Sequence, residues 1–248
     1  MKKTLRWNWG GAAGVAFLVI ALFGPAKSTA SGVLYQFDNV FSYSGSASSP
    51  AEPGPWVDAT LQDNANGVLL TVNNLGLSGG EFLSQLYLNI NPLDNVQNLT
   101  FTFVSGTSGV NAPTIQTGED GFKADGDGKY DMLFNFATSN SGRFGAGDSL
   151  TYLIAGISGL SSSDFKYLST SAGGEHGPFY GAAHIQGIAG ETGSDSVWLD
   201  PSLGPQIIPV PEPSPTAFTA VLLGLWGVWF LRVRSLRPQP ARERSVRR

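Results

Sequence analysis

Residues 99–104 read LTFTFV, and their alternation places Leu99, Phe101 and Phe103 on one face of an extended segment, opposite threonines. A period of two over four to eight residues is typical of a β-strand that is buried on one face only. The same pattern recurs in four more segments: GVLLTVN (67–73), FLSQLYLNI (82–90), YDMLFNF (130–136) and LTYLIAG (150–156).

These segments predict a set of apolar faces that together would form the core. The predicted faces are Val68, Leu70 and Val72; Phe82, Leu86, Leu88 and Ile90; Tyr130, Met132, Phe134 and Phe136; and Leu150, Tyr152 and Ile154. Only LSSSDFKYL (160–168) has a helical pattern, with serines as caps. Strands of this kind without a long amphipathic helix predict an all-β fold, an antiparallel β-sandwich that is jelly-roll-like, over residues 31–204.

The charge of the chain is divided unevenly along its length. Residues 31–209 contain four basic and 17 acidic residues, a net charge of −13, although the whole chain carries only −4. Nucleic-acid binding requires a basic face, so this composition excludes nucleic acid as a partner. The chain also has no cysteine, which excludes a disulfide scaffold, a thiolate metal site and a cysteine nucleophile.

The first 30 residues have the composition of a secretory signal peptide. Lys2, Lys3 and Arg6 precede an apolar stretch, and small residues stand at Ser28 and Ala30. This order predicts cleavage by signal peptidase after Ala30, with cleavage after Ala26 or an uncleaved membrane anchor as the alternatives.

The C-terminal end combines a linker, an apolar run and a basic tail. Residues 205–215 form the predicted linker. Residues 216–231 are apolar and extend about 24 Å as a helix, which is short of a bilayer core of about 30 Å. The run can still span if the bilayer thins locally and the flanking arginines snorkel. The tail, residues 232–248, contains seven arginines, which mark a cytoplasmic flank. We therefore expect a transmembrane helix over 216–231, with residues 31–209 outside the inner membrane.

The three-part order of this end resembles a known sorting signal. Pro211, Glu212 and Pro213, then a short apolar helix and an arginine-rich end, are similar to the PEP-CTERM signal of exported bacterial proteins. The resemblance implies recognition by an exosortase-type membrane peptidase and cleavage near the tripeptide. It also implies a transient stay in the inner membrane and delivery to the cell surface or extracellular matrix of a Gram-negative bacterium, in association with exopolysaccharide or biofilm.

An acidic stretch, EDGFKADGDGKYD (119–131), has two interpretations. The spacing of Asp125, Asp127 and Asp131 around glycine resembles that of calcium loops, in which carboxylates converge on the ion. The stretch departs from the EF-hand pattern, because Lys129 stands at a ligand position and Phe136 at the closing one. The alternative is a glycine-rich β-hairpin with solvated aspartates, so we expect either a calcium ion at this stretch or no cofactor.

The remaining polar and aromatic residues leave the role of the body open. Glu175, His176 and His184 could ligate zinc, but their spacing does not match a zinc site, and packed histidines are the alternative. Four aromatic residues could stack on sugar rings or lie in the core: Tyr43, Trp56, Tyr180 and Trp198. We expect a protein that is not an enzyme, with a lectin-like carbohydrate-binding module as the alternative and a polysaccharide-acting enzyme as the third hypothesis.

Overall fold

The computed structural model describes residues 31–44, 49–139, 141–174, 176–188 and 195–209. The predictions for the signal peptide with Ala30, for Pro211, Glu212 and Pro213, and for the apolar run 216–231 lie outside these residues. Among the residues the structure describes, no helix has the length and apolar character needed to cross a membrane.

The described part of the chain is all-β and forms two antiparallel sheets of six strands each. The strands are β1 (Ser31–Phe37), β2 (Asn39–Ser44), β3 (Val57–Asn64), β4 (Gly67–Asn74), β5 (Phe82–Leu88), β6 (Thr100–Gly106), β7 (Thr114–Ala124), β8 (Asp127–Asn135), β9 (Ser149–Ala155), β10 (Gly181–Ile188), β11 (Asp195–Asp200) and β12 (Gln206–Pro209). The first sheet has the order β12-β1-β3-β4-β9-β6, and the second has the order β2-β11-β10-β5-β8-β7.

The two ends of the described body lie side by side. Strand β12 pairs with β1, and Ser31 is the register partner of Pro209. Residues 206–209, which the sequence assigned to the linker, therefore belong to the first sheet. Two short 3-10 helices, Val96–Asn98 and Ser162–Phe165, interrupt the strands. The second lies within the predicted helical segment 160–168, and Ser161 with Asp164 forms its capping box.

The main core lies between the sheets and confirms most of the predicted apolar faces. Alternate residues of β4 and β9 are buried in it: Val68, Leu70, Val72, Leu150, Tyr152 and Ile154. From the second sheet come Leu86, Leu88, Met132, Phe134 and Phe136.

Two predicted core residues do not belong to the main core, because the strands that carry them change phase. In β5, Gln85 pairs with His184 but Leu83 pairs with Ile185, so Ser84 is an extra residue. Such a bulge reverses the alternation, and Leu83 replaces Phe82 in the main core. Phe82 is instead covered by the Arg143 guanidinium, 4.0 Å from the ring centre.

The second phase change occurs in β8 and removes Tyr130 from the main core. Tyr130 pairs with Phe122, whereas Met132 pairs with Thr117, so four residues of β7 lie opposite Asp131 alone. Tyr130 accordingly packs in a separate cluster with Tyr87 and Trp198.

The prediction for β6 was also wrong in part. Phe101 is half-buried against the main core, but the side chain of Phe103 is 52% exposed. The reason is topological, since β6 is the last strand of the first sheet and only one side of it is covered.

The separate cluster lies on the outer face of the second sheet, beneath the end of the β7–β8 hairpin. It consists of Phe41, Tyr87, Ala124, Tyr130, Leu133, Ala182 and Trp198. Ser42 on β2 donates a hydrogen bond to Asp125 at the hairpin turn, although β2 and β7 are the opposite edges of this sheet. The hairpin therefore bends at its irregular pairing and lies across the sheet.

Candidate functional site

A polar cleft lies at one end of the second sheet. It has a volume of about 140 Å³. Its lining comes from the chain that follows β5, from the irregular part of β7 and from the segment after the second 3-10 helix. The lining residues are Asn89, Ile90, Asn91, Pro92, Asp94, Val96, Glu119, Asp120, Asp131, Tyr167, Leu168 and Thr170.

Asp131 joins two walls of this cleft. Its Oδ2 accepts a hydrogen bond from the backbone N–H of Ile90 at 3.1 Å, and its Oδ1 accepts one from that of Asp120 at 2.9 Å. Burial raises the pKa of Asp131, and the negative charges of Asp120 and Glu119 raise it further, while the two backbone hydrogen bonds lower it. Both oxygens thus hold the backbone in place, so Asp131 shapes the cleft.

Asparagines join the chain that follows β5 to the third wall, the segment around the second 3-10 helix and after it. The Asn89 side chain donates to the carbonyl of Tyr167 at 3.3 Å, which ties the end of β5 to the segment after the 3-10 helix. The backbone N–H of Asn91 donates to the carbonyl of Asp164 at 2.6 Å, and the Asn91 side chain accepts from the N–H of Leu93 at 3.1 Å. These bonds hold the Tyr167 side chain, which is 37% exposed, at the rim.

The chemistry of the lining disfavours anionic ligands and offers hydrogen-bond acceptors to hydroxyl groups. The four carboxyl groups come from Asp94, Glu119, Asp120 and Asp131, and no Lys or Arg is present in the lining. Carboxylates accept hydrogen bonds from hydroxyl groups, and their negative field repels anions. An aromatic ring beside such acceptors, as Tyr167 is here, offers an apolar face with a polar end.

The three aspartates of the predicted calcium loop have three different environments. Asp125 bonds to Ser42, and Asp127 accepts from the backbone N–H of His176 at 3.0 Å, while Asp131 lies in the cleft wall. No group of three His, Cys, Asp or Glu side chains that could hold a metal occurs in the described part of the chain.

The alternative interpretation of the same stretch is confirmed for the hairpin but not for the solvated aspartates, because Asp127 is buried and Asp131 is half-buried. Lys123 pairs with Lys129 and Ala124 with Asp127, which leaves Asp125 and Gly126 as the two turn residues. Both have positive φ, 50° and 82°. This is the backbone of a type I′ turn, for which Asp-Gly is a preferred sequence.

The two histidines bond to different residues and do not form one site. The ring of His176 lies 3.2 Å from the Asp127 carboxylate, whereas the Nδ1 of His184 lies 3.0 Å from the Ser84 hydroxyl. Glu175, the third predicted zinc ligand, lies outside the described residues.

His184 is held in the outer face of the second sheet. Its ring stacks on Trp198 with centroids 4.2 Å apart, and burial lowers its pKa to about 4 while the negative charge of Asp125 raises it. The Ser84 hydroxyl is buried and donates to the backbone carbonyl of His184 at 2.9 Å. A serine committed in this way has no access to a substrate, so the Ser84–His184 pair is a packing contact.

The four aromatic residues proposed for sugar stacking do not form a platform. Trp56 and Trp198 are buried, and Tyr180 is half-buried, while the Tyr43 side chain is exposed. The aromatic residue that borders a cleft is Tyr167, which sequence reasoning missed. Asn89 and Asn91 were missed as well, although polar residues directly after an apolar strand are a usable signal.

Comparison of the chain with protein-family models, with curated proteins and with solved structures finds no match.

Proposed function

We propose that this chain is an exported bacterial surface or extracellular-matrix protein that is sorted through its C-terminal PEP-CTERM-like signal. The observation that carries the proposal is the order of Pro211, Glu212 and Pro213, the apolar run 216–231 and the seven arginines after it. The partners are signal peptidase and an exosortase-type membrane peptidase. The final location is the cell surface or matrix, in association with exopolysaccharide.

The arrangement of the body is consistent with two signals acting on one domain. Because β1 and β12 are paired, with Ser31 opposite Pro209, both signals adjoin the same two strands of the first sheet. The body can therefore be tethered to the membrane at the paired ends of β1 and β12, with the rest of its surface facing away from the membrane. Its net charge of −13 between two basic ends agrees with the direction of insertion, in which the basic flanks stay inside.

We infer that the sandwich is jelly-roll-like. Strands from the first part of the chain pair with strands from the last part in nested order: β1 with β12, β2 with β11, β4 with β9 and β5 with β8. These pairs alternate between the two sheets. A long two-stranded ribbon wrapped in this way underlies jelly rolls, which include lectin domains.

The proposed sorting step is tested by altering the tripeptide. Replacing Pro211, Glu212 and Pro213 together with alanine is expected to leave membrane insertion intact and to block processing, because the prolines keep the site extended. Immunoblots of membrane and surface fractions from the native host should show accumulated precursor. Pro215→Ala, outside the tripeptide, is the matched control and should be processed normally. Equal processing of all three proteins would contradict the proposal.

A second candidate function is carbohydrate binding in the cleft. Carboxylate and amide groups beside the exposed ring of Tyr167 favour it, and the absence of a cation in the lining favours neutral over anionic polysaccharides. Both oxygens of Asp131 accept hydrogen bonds from backbone amides, so this carboxyl group has a structural role in the cleft.

Removal of the Tyr167 ring should weaken this binding. Tyr167→Ala is expected to lower affinity for a soluble neutral glucan by about tenfold, the loss of one stacking contact. Affinity electrophoresis in gels containing the glucan, or a soluble polyuronate for comparison, measures the effect. Tyr43→Ala, which alters an exposed tyrosine that is not part of the cleft lining, should bind as the wild type does. The candidate fails if the wild-type protein is not retarded by any neutral glucan, or if both variants lose binding equally.

A further inference from the structure

Strand β6 is an exposed and uncharged edge of the first sheet. Within the described residues it pairs with β9 on one side only. Every residue of β6 except Phe101 is exposed. No Asp, Glu, Lys or Arg occurs between Asp94 and Glu119, so this edge interrupts an otherwise acidic surface.

The side chains of β6 are divided by type between its two faces. Phe101 and Phe103 lie on the face toward the second sheet, where Phe101 contacts Phe134 with ring centroids 5.7 Å apart. Phe103 contacts Tyr152 at the same distance. The alternation places the β-branched residues Thr100 and Thr102 on the opposite face. An unpaired strand of β-branched and aromatic residues without charge is a template for another strand.

We propose that β6 pairs antiparallel with β6 of a second copy of this chain, about a two-fold axis at Thr102. This register places Thr102 opposite its own symmetry mate, and Phe101 opposite Phe103 of the other copy. Residues directly opposite each other in an antiparallel pair share a face. Aromatic rings would thus meet aromatic rings on one side of the joined sheet, and β-branched side chains would meet on the other.

A second copy fits this edge better than an unrelated strand for two reasons. The sequence is self-complementary in this register, and a two-fold contact of identical patches closes into a dimer. Two bodies of net charge −13 repel each other, and the stretch between Asp94 and Glu119 is where they can approach without bringing side-chain charges together.

The pairing should be short. The register of β6 with β9 shifts between Phe103 and Ser105, so Val104 is an extra residue. Because bulges twist an edge strand away from further pairing, the contact is limited to about the five residues from Thr100 to Val104. The dimer should therefore depend on protein concentration.

The absence of cysteine allows a direct test in the full chain. Thr102→Cys should form a disulfide-linked dimer, because directly opposite residues have Cα atoms about 4.5–5.5 Å apart, within the range of a disulfide. Thr100→Cys, on the same face, is the matched control. In the proposed register its two copies are four residues apart along the strands, about 14 Å, which is too far for a disulfide.

The variants are exported in a host with an oxidising periplasm and compared on non-reducing gels. Thr102→Cys is expected to give at least about tenfold more dimer than Thr100→Cys, and Val104→Lys in the Thr102→Cys chain should remove that dimer. Co-expressed Thr100→Cys and Val104→Cys chains should cross-link with each other. Equal cross-linking at Thr100 and Thr102, no cross-linking at Thr102, or a dimer that survives Val104→Lys would each overturn the proposal.

Discussion

Replacing Phe134 with alanine is expected to lower the free energy of unfolding by about 3–5 kcal/mol, as for other buried phenylalanines. The side chain is 1% exposed and lies in the core between the two sheets. Its ring meets Phe101 edge to face, and its strand pairs with β5 on one side and β7 on the other. The cavity would be enclosed on all sides, so neighbouring side chains could fill little of it.

Phe103→Ala is the matched control, because sequence alternation assigned both phenylalanines to the core. Since the Phe103 side chain is 52% exposed, its removal should cost about 1 kcal/mol or less, as expected of a surface position. Urea denaturation of the purified proteins, followed by tryptophan fluorescence, measures both. If Phe103→Ala lowered the free energy of unfolding as much as Phe134→Ala does, the edge position of β6 would be misassigned.

His184 should make the protein less stable in mild acid. Burial lowers its folded-state pKa from 6.5 to about 4, so between these values the unfolded chain binds a proton that the folded chain does not. The free energy of unfolding contributed by this group therefore falls as the pH drops from about 6.5 to 4. The full difference in pKa corresponds to about 3 kcal/mol.

A variant without the titrating ring isolates this contribution. His184→Phe keeps an aromatic ring over Trp198 and leaves the backbone carbonyl that Ser84 bonds to, so it retains the packing. Buried carboxyl groups with raised pKa, Asp131 and Asp200 among them, act in the opposite direction but are present in both proteins. The difference in unfolding free energy between variant and wild type should grow in the variant's favour as the pH falls from 6.5 to 4. A difference that is constant with pH would contradict the burial of His184.

The alternation of apolar residues predicted the fold class because the pattern is set within each strand and does not depend on how the strands are arranged. In β4 and β9 no residue is inserted, and every predicted inward residue is buried. The prediction failed at Phe82 because the extra residue Ser84 shifts the alternation of β5. It failed at Tyr130 because of the unequal pairing of β7 and β8 at Asp131. Neither site carries a local signal as clear as the glycine-rich stretch 119–131, for which a hairpin was one of two interpretations and is the one observed.

The exposure of Phe103 and the composition of the cleft depend on topology, which alternation does not encode. Phe103 is exposed because β6 is the last strand of its sheet. Asn89, Asp131 and Tyr167 form one cleft because bonds between segments more than 30 residues apart hold them there. The calcium hypothesis compared residues by sequence spacing, but strand and turn geometry directs the three aspartates to different partners.

The most direct test of the proposed function is the mass of the mature protein isolated from its native host. A single intact-mass spectrum determines at which residues the mature chain begins and ends. The account predicts a chain that begins at Ser31, after removal of the signal peptide at Ala30, and ends near Pro211, Glu212 and Pro213. A surface-released protein that still carries residues 216–248 would contradict it, because the C-terminal segment would then be an ordinary membrane anchor.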